Sequence, residues 1–396
     1  MKPSNESLSS CPVCGSNNLR HLIQIPQAPV QCNVLWPTQA SALAAGRGDI
    51  QLVICHHCAH VYNLAFDAGK MGYAEGYENS LHFSPRFQQY ALSKAAELVD
   101  RYDLHNKDIL EIGSGRGDFL KMLVEMGQNR GVGFDPSFAG LPPDETIPGI
   151  SFIQDYYSDE YSDYPADFIL SRHVLEHIPE PDQFLSMLRR VIGDRLHIVV
   201  FFEVPNVMFT LHELGIWDVI YEHCSYFNAP SIREVFERNG FEVLRTQEAF
   251  ENQYLTIETR PIHGKPVISQ PDPAVLQAIF QDVNTFAESY REKVASWQNR
   301  LEQLRQAHQK AVVWGAGSKG ITFLNAFQAQ NVIDYVVDIN PRKEGMYISG
   351  AGQKIVPPAF LQSYQPEYVI IMNANYEEEI QAQLKSLNIQ AQILLA

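Results

Sequence analysis

The chain predicts an α/β fold organised on an open, doubly wound parallel sheet, and three observations predict it. Asp108-Ile109-Leu110-Glu111-Ile112 is a short apolar run that stops at Gly113-Ser114-Gly115-Arg116-Gly117, followed by Phe119, Leu120, Leu123 and Val124 at helical spacing. A buried strand that turns through glycines into a helix has this pattern. After it, β-rich runs alternate with helical stretches, as in repeated βα units. A second strand, glycine turn and helix begins at Ala311 and runs through Gly315, Gly317 and Gly320. Such turns leave free N–H groups at the carboxyl edge of a sheet, where open α/β folds bind ligands.

The 396 residues predict two or three domains. An apolar content of 45% and a charged content of 19% are those of a globular protein. A net charge of −16 argues against nucleic acid or an anionic membrane as main partner. No apolar run has the length of a membrane span, and Met1 to Ser10 is polar without a signal-peptide core. The expectation is a soluble, cytoplasmic protein acting on a small molecule.

Cys11 and Cys14, then Cys55 and Cys58, form two Cys-x-x-Cys pairs. Four thiolates can wrap tetrahedrally around Zn²⁺ in a closed, structural site, which predicts a zinc-binding domain over residues 1–70. A redox pair is the alternative, and His56, His57 or His60 could substitute as ligands. Residues 71–84 are rich in Tyr, Gly and Ser, include Tyr77, and suit a loop lying over a site. Phe87, Tyr90, Ala91, Ala95, Leu98 and Val99 make a helical stripe leading to the first glycine turn.

The next strand, Gly131 to Phe134, ends at Asp135 and Pro136, about 20 residues past the glycines, where doubly wound folds place a carboxylate for ribose hydroxyls. Ile150 to Ile153 runs to Asp155 and Tyr156, and Asp167 to Leu170 runs into His173-Val174-Leu175-Glu176-His177. A helix over 182–191, a strand over 196–203 leading to Asn206, a capping box at Ser231 and Glu234, and an antiparallel pair over 241–247 and 254–259 complete this unit. Tyr221, Glu222 and His223 stand side by side after the fifth strand, ionisable groups at the expected ligand edge. The proline-rich linker 261–272 precedes one long amphipathic helix within 263–310, which joins two bodies, covers a seam or serves dimerisation. The last segment, 311–396, carries a dinucleotide-like fingerprint with Asp338, but in length it is only about half of a six-stranded dinucleotide fold.

Glu111-Ile-Gly113-Ser114-Gly115-Arg-Gly117, Asp135, Asp155 and His173-Val-Leu-Glu-His177 resemble the successive motifs of class I S-adenosylmethionine-dependent methyltransferases. With the cysteine pairs and the C-terminal segment, the chain resembles the three-domain sugar C-methyltransferases. The resemblance implies a central Rossmann-like seven-stranded methyltransferase domain over 71–262, a small N-terminal zinc-binding domain, and a smaller C-terminal α/β Rossmann-like domain that helps hold a nucleotide-linked substrate. It further implies S-adenosylmethionine seated on Glu111, Gly113, Ser114, Gly115, Gly117, Asp135, Pro136, Asp155, Tyr156 and His173. In that family the base is a histidine of a Tyr-x-Glu-His motif. Here Glu222 and His223 match, Ile220 takes the tyrosine position, and Tyr221 follows it.

The chemistry expected is C-methylation of a nucleotide-linked keto-sugar. His223 would be base, Glu222 its orienting partner, and His177 or Tyr77 the donor to the developing oxyanion, with Tyr221 also in the catalytic set. Asn206, Asn252, Lys319 and Asn373 are the expected acceptor-binding residues. O- or N-methylation of another small metabolite, a degenerate binding module, and a nicotinamide-dependent redox enzyme are the competing readings.

Overall fold

The computed structural model describes residues 10–71, 77–138, 140, 148–264, 267–327 and 332–396. The polar start of the chain and the centre of the 71–84 loop lie outside them. The N-terminal module contains β1 (Leu19–Pro29), α1 (Gln39–Leu43), β2 (Arg47–Cys55) and β3 (Val61–Asn63). The central unit opens with α2 (Pro85–Tyr102), capped by Ser84 Oγ on the Phe87 N–H. It continues through β4 (Asp108–Ile112), α3 (Asp118–Gly127), β5 (Arg130–Phe134), β6 (Ile150–Ile153), β7 (Phe168–Arg172), α4 (Pro181–Ile192), β8 (Val199–Pro205) and α5 (Val207–His212). Then follow β9 (Ser225–Tyr226), α6 (Ala229–Arg238), β10 (Phe241–Ala249) and β11 (Tyr254–Pro261).

Seven strands form the central sheet in the order β10-β11-β8-β7-β4-β5-β6. Only β11 runs against its neighbours, pairing antiparallel with both β8 and β10. The strands β4, β7 and β8 are buried along most of their length because helices cover both faces. Phe168, Leu170 and Phe201 pack with Ala91, Leu98, Leu120 and Leu123 on one side. Ile169, Val200 and Phe202 pack with Leu185, Leu188, Ile232 and Phe236 on the other.

Two local expectations change. The helix α6 is capped by Asn228, whose side chain accepts from the Ser231 N–H at 2.9 Å, so Ser231 is inside the helix rather than its cap. β9, from the middle of the central unit, adds to the N-terminal sheet, whose order is β1-β2-β3-β9. A two-residue strand has no periodicity of its own to detect.

The long helix α7 (Pro273–Gln306) starts as expected, with Asp272 accepting from the Ala274 N–H at 2.8 Å. Its stripe of Ile279, Val283, Phe286, Trp297, Leu301 and Leu304 packs in one core with Ile50, Leu52 and Ile54 of β2 and with the last body, so it covers a seam. That body contains β12 (Ala311–Trp314), α8 (Ser318–Phe327), β13 (Ile333–Val337), β14 (Lys354–Val356), α9 (Leu361–Tyr364), β15 (Tyr368–Ile371), α10 (Glu377–Ser386) and β16 (Gln392–Leu395). Its five strands are all parallel, in the order β14-β13-β12-β15-β16. This is more sheet than half a dinucleotide fold, so sheet size no longer argues against a dinucleotide there. No helix of the described residues is long and apolar enough to cross a membrane.

Candidate active site

Both sheets turn the carboxyl ends of their parallel strands toward one cleft of about 1360 Å³, whose walls include Gly113, Gly115, Asp135, Gly315, Gly317 and Asp338. In the first turn the Gly113 N–H donates to the Phe134 carbonyl at 2.7 Å, and the Gly115 N–H to Asp135 Oδ2 at 2.7 Å. Gly113 has φ +73°, and a Cβ there would meet Val174 Cγ2 at 2.1 Å, so no other residue fits. At Gly115 a Cβ would meet nothing within 4 Å, which leaves the turn's backbone open to the cleft.

Glu111 stands beneath this turn, 3% exposed, its Oε2 buried with no hydrogen-bond partner among the described residues. Burial pushes its carboxyl up to about 8, opposed by Arg172. The Ser114 Oγ is likewise buried without a partner. Pro136, Asp155 and Tyr156 continue the same wall, and Asp155 accepts from the Tyr161 hydroxyl at 2.6 Å and the Tyr156 N–H at 2.8 Å. His173 has φ +56°, with Nε2 3.2 Å from Glu203 Oε1. Glu203 also takes two bonds from Arg172, at 2.9 and 2.7 Å, an ion pair buried under the site.

His177 and His223 meet edge to face with ring centres 4.9 Å apart, on the cleft wall. His177 Nδ1 donates to the backbone carbonyl of Glu222 at 2.9 Å. Burial pushes His177 down to about 4, and burial with the facing His177 and His173 pushes His223 well below the ordinary imidazole value. Both rings are therefore neutral at pH 7, and the proton of His177 points away from the cleft.

The neighbours of His223 do not act as expected. The fully buried Glu222 carboxylate accepts from the Cys32 N–H, the Asn33 N–H at 3.2 Å and the Tyr77 hydroxyl at 3.0 Å, and thus grips the N-terminal module rather than His223. Tyr221 is fully buried over Gly48, its hydroxyl accepting from the Asp67 N–H at 2.9 Å, outside the cleft. The three residues lie on a turn that leads into β9, and only His223 of the three lines the cleft.

In the second turn the Gly315 N–H donates to the Val337 carbonyl at 2.8 Å and the Ala316 N–H to Asp338 Oδ2 at 2.8 Å. The buried Lys343 donates from Nζ to the Ala316 carbonyl at 2.9 Å. Lys319 faces the cleft and pairs with Asp218 at 2.9 Å. Asn373 also lines the cleft and donates to Gln253 Oε1 at 2.9 Å. Asn206 lines the cleft, with its side chain capping α5 and donating to Glu248 Oε1 and the Asn252 carbonyl, both at 3.0 Å. Asn252 takes φ +65° on the β10–β11 turn and does not line the cleft, where Gln253 does. Composition alone does not separate these two neighbours.

The sulfurs of Cys11, Cys14, Cys55 and Cys58 all lie within 4.8 Å of one another. Cys11 and Cys58 are 3.6 Å apart, Cys14 and Cys55 3.5 Å, close to the edges of a tetrahedral zinc–thiolate site. The nearby histidines are used elsewhere: His60 is buried against Ser225 Oγ at 3.2 Å, and His56 packs on Phe280.

A family model described as "Methyltransferase domain" matches residues 86–246, and one described as "C-methyltransferase C-terminal domain" matches residues 276–394. The chain is a class I S-adenosylmethionine-dependent methyltransferase that resembles the C-methyltransferases. C-methyltransferase NovU of Streptomyces niveus is 25% identical to it over 94% of this chain and 91% of its own length. Among solved structures, the magnesium protoporphyrin IX methyltransferase of Synechocystis PCC 6803 shares 18% identity, covering 48% of this chain and 90% of that one, with a TM-score of 0.35. The 1,6-didemethyltoxoflavin-N1-methyltransferase of Burkholderia thailandensis shares 16%, covering 45% and 81%, with a TM-score of 0.33. These two scores add nothing to the assignment. The methyltransferase has polar fittings suited to a sulfonium cofactor, since the open turn at Gly115 adjoins a buried Glu111 oxygen that has no hydrogen-bond partner among the described residues.

Proposed function

We propose that the methyltransferase methylates carbon beside the ketone of a nucleotide-linked sugar, with His223 as general base. What carries this reading is the meeting of both glycine turns on one cleft, with the neutral His177–His223 pair on the same wall. Glu111, Gly113, Gly115 and Asp135 would hold the methionine and ribose parts of the cofactor, and Asp155 and Tyr156 the adenine. S-adenosylmethionine when bound supplies an electrophilic methyl group on a sulfonium. The residues then have to position the acceptor and remove one proton. A neutral imidazole at His223 can take a C–H proton next to a carbonyl, leaving an enolate for the methyl group. The His177 proton and the Tyr77 hydroxyl are both bonded to Glu222, at 2.9 and 3.0 Å, so either would have to turn from that partner to donate to the enolate oxygen. Lys319 and the backbone of the second turn would meet the diphosphate.

The four cysteines would hold a structural zinc ion, and six thiols free of disulfides suit a reducing cytoplasm. The experiment is to incubate the enzyme with S-adenosylmethionine and a panel of nucleotide-linked keto-deoxysugars and look for the mass gain of one methyl group. Without methyl donor, the enzyme should exchange the α-hydrogen for deuterium, and His223→Ala should lose that exchange. Methylated product formed with no exchange would replace this reading by O-methylation.

A further inference from the structure

We infer that Glu176, His177 and His223 form a three-ligand site for one divalent transition-metal ion in the cleft, separate from the cysteine cluster. A carboxylate oxygen of Glu176 and one ring nitrogen of each histidine all lie within 4.8 Å of one another, and all three residues line the cleft. Glu176 is 2% exposed, and its Oε2 is buried with no hydrogen-bond partner among the described residues. An acceptor oxygen removed from water with no hydrogen-bond partner is costly to leave bare, and a cation held there would complete it.

The surroundings orient the set. His177 Nδ1 lies 2.9 Å from the Glu222 carbonyl, which only accepts, so Nδ1 carries the proton and Nε2 presents its lone pair. This is how ligating imidazoles are held by an outer partner. The Cys224 thiol donates to the Glu176 carbonyl at 3.3 Å, tying the Glu176 turn to the residue after His223. Two imidazoles and one carboxylate select an ion of the zinc, cobalt or iron class over Mg²⁺ or Ca²⁺, which favour all-oxygen sites. Three protein ligands leave coordination positions open toward the cleft.

The functional consequence rests on His223 being the base. A lone pair donated to a metal ion cannot take a proton, so the loaded and the catalytic states exclude one another, and the ion acts as an inhibitor seated on the base.

The test uses the full chain with the cysteine cluster first filled by one equivalent of Zn²⁺, then titrated with Co²⁺ alone. The expected result is one further equivalent with visible d–d bands and no sulfur-to-cobalt charge transfer. Methyl transfer should fall by about tenfold or more as it fills and return on chelation. Glu176→Gln and His223→Gln should each weaken the second equivalent by about tenfold or more. Binding that stops at the cysteine cluster, or a second equivalent unchanged in both variants, overturns the site. A second equivalent that fills while methyl transfer rises leaves the site standing and overturns His223 as the base.

Discussion

The two glycine turns are built alike and charged differently. In each, a turn N–H donates to the last carbonyl of the neighbouring strand, and the acid just past that strand accepts from a second turn N–H. At the strand position two residues before the first glycine, the central unit has Glu111 and the last body has Val313. Where the first turn has a buried carboxylate below it, the second has Lys343 bonded to its backbone and Lys319 at its mouth. One backbone design thus carries an unpartnered carboxyl oxygen beneath one turn and two lysines, each paired with an aspartate, beside the other.

That contrast can be broken in three ways. The largest effect is expected from paired glycine substitutions. Gly113→Ala adds a left-handed strain and a collision with Val174, while Gly315→Ala adds strain at φ +111° with nothing within 4 Å. Denaturant midpoints should show a loss of about 2–6 kcal/mol for the first and about 1–3 kcal/mol for the second. Equal losses would mean the two turns are packed alike.

A smaller effect concerns Glu111. Its carboxyl, at about 8 in the free protein, is mostly protonated at pH 7, and a bound cation favours its ionised form. Binding of S-adenosylmethionine should therefore release a proton, and affinity should rise with pH, by at most about tenfold per unit, levelling above about 8. Calorimetry at pH 6.5 and 8.5 checks this, and Glu111→Gln should flatten the dependence. The smallest effect is expected from Lys319→Ala, which should raise the KM of the acceptor about three- to tenfold and leave affinity for the methyl donor unchanged. A shared loss would place both ligands on the second turn.

Much of the fold was legible because the parallel strands of the central sheet are short and several are closed by a distinctive residue. Ile112 before Gly113 and Phe134 before Asp135 mark their own ends. The short β9 and the cap at Asn228 were not legible, since both depend on partners distant in sequence or on geometry within one turn. The Tyr221-Glu222-His223 run shows the limit most sharply. Chemistry placed all three in the site, whereas burial sends Tyr221 to Gly48 and Glu222 to Cys32 and Asn33. Glu176 went the other way: it stood within a recognised motif, but only the folded chain shows that a carboxylate oxygen there meets two imidazoles.

The grip of Glu222 on the N-terminal module has a consequence for exchanging parts between related enzymes. β9 and Glu222 flank His223, and both are anchored on the body that carries the cysteines. Arg47 of that body also donates to the Gly350 carbonyl at 2.8 Å, and Trp36 bridges to Tyr347. The N-terminal module is therefore a wall of the reaction chamber rather than a detachable cassette. A chimera that swaps it must carry the 220–226 segment along with it, or His223 will be set at a different angle.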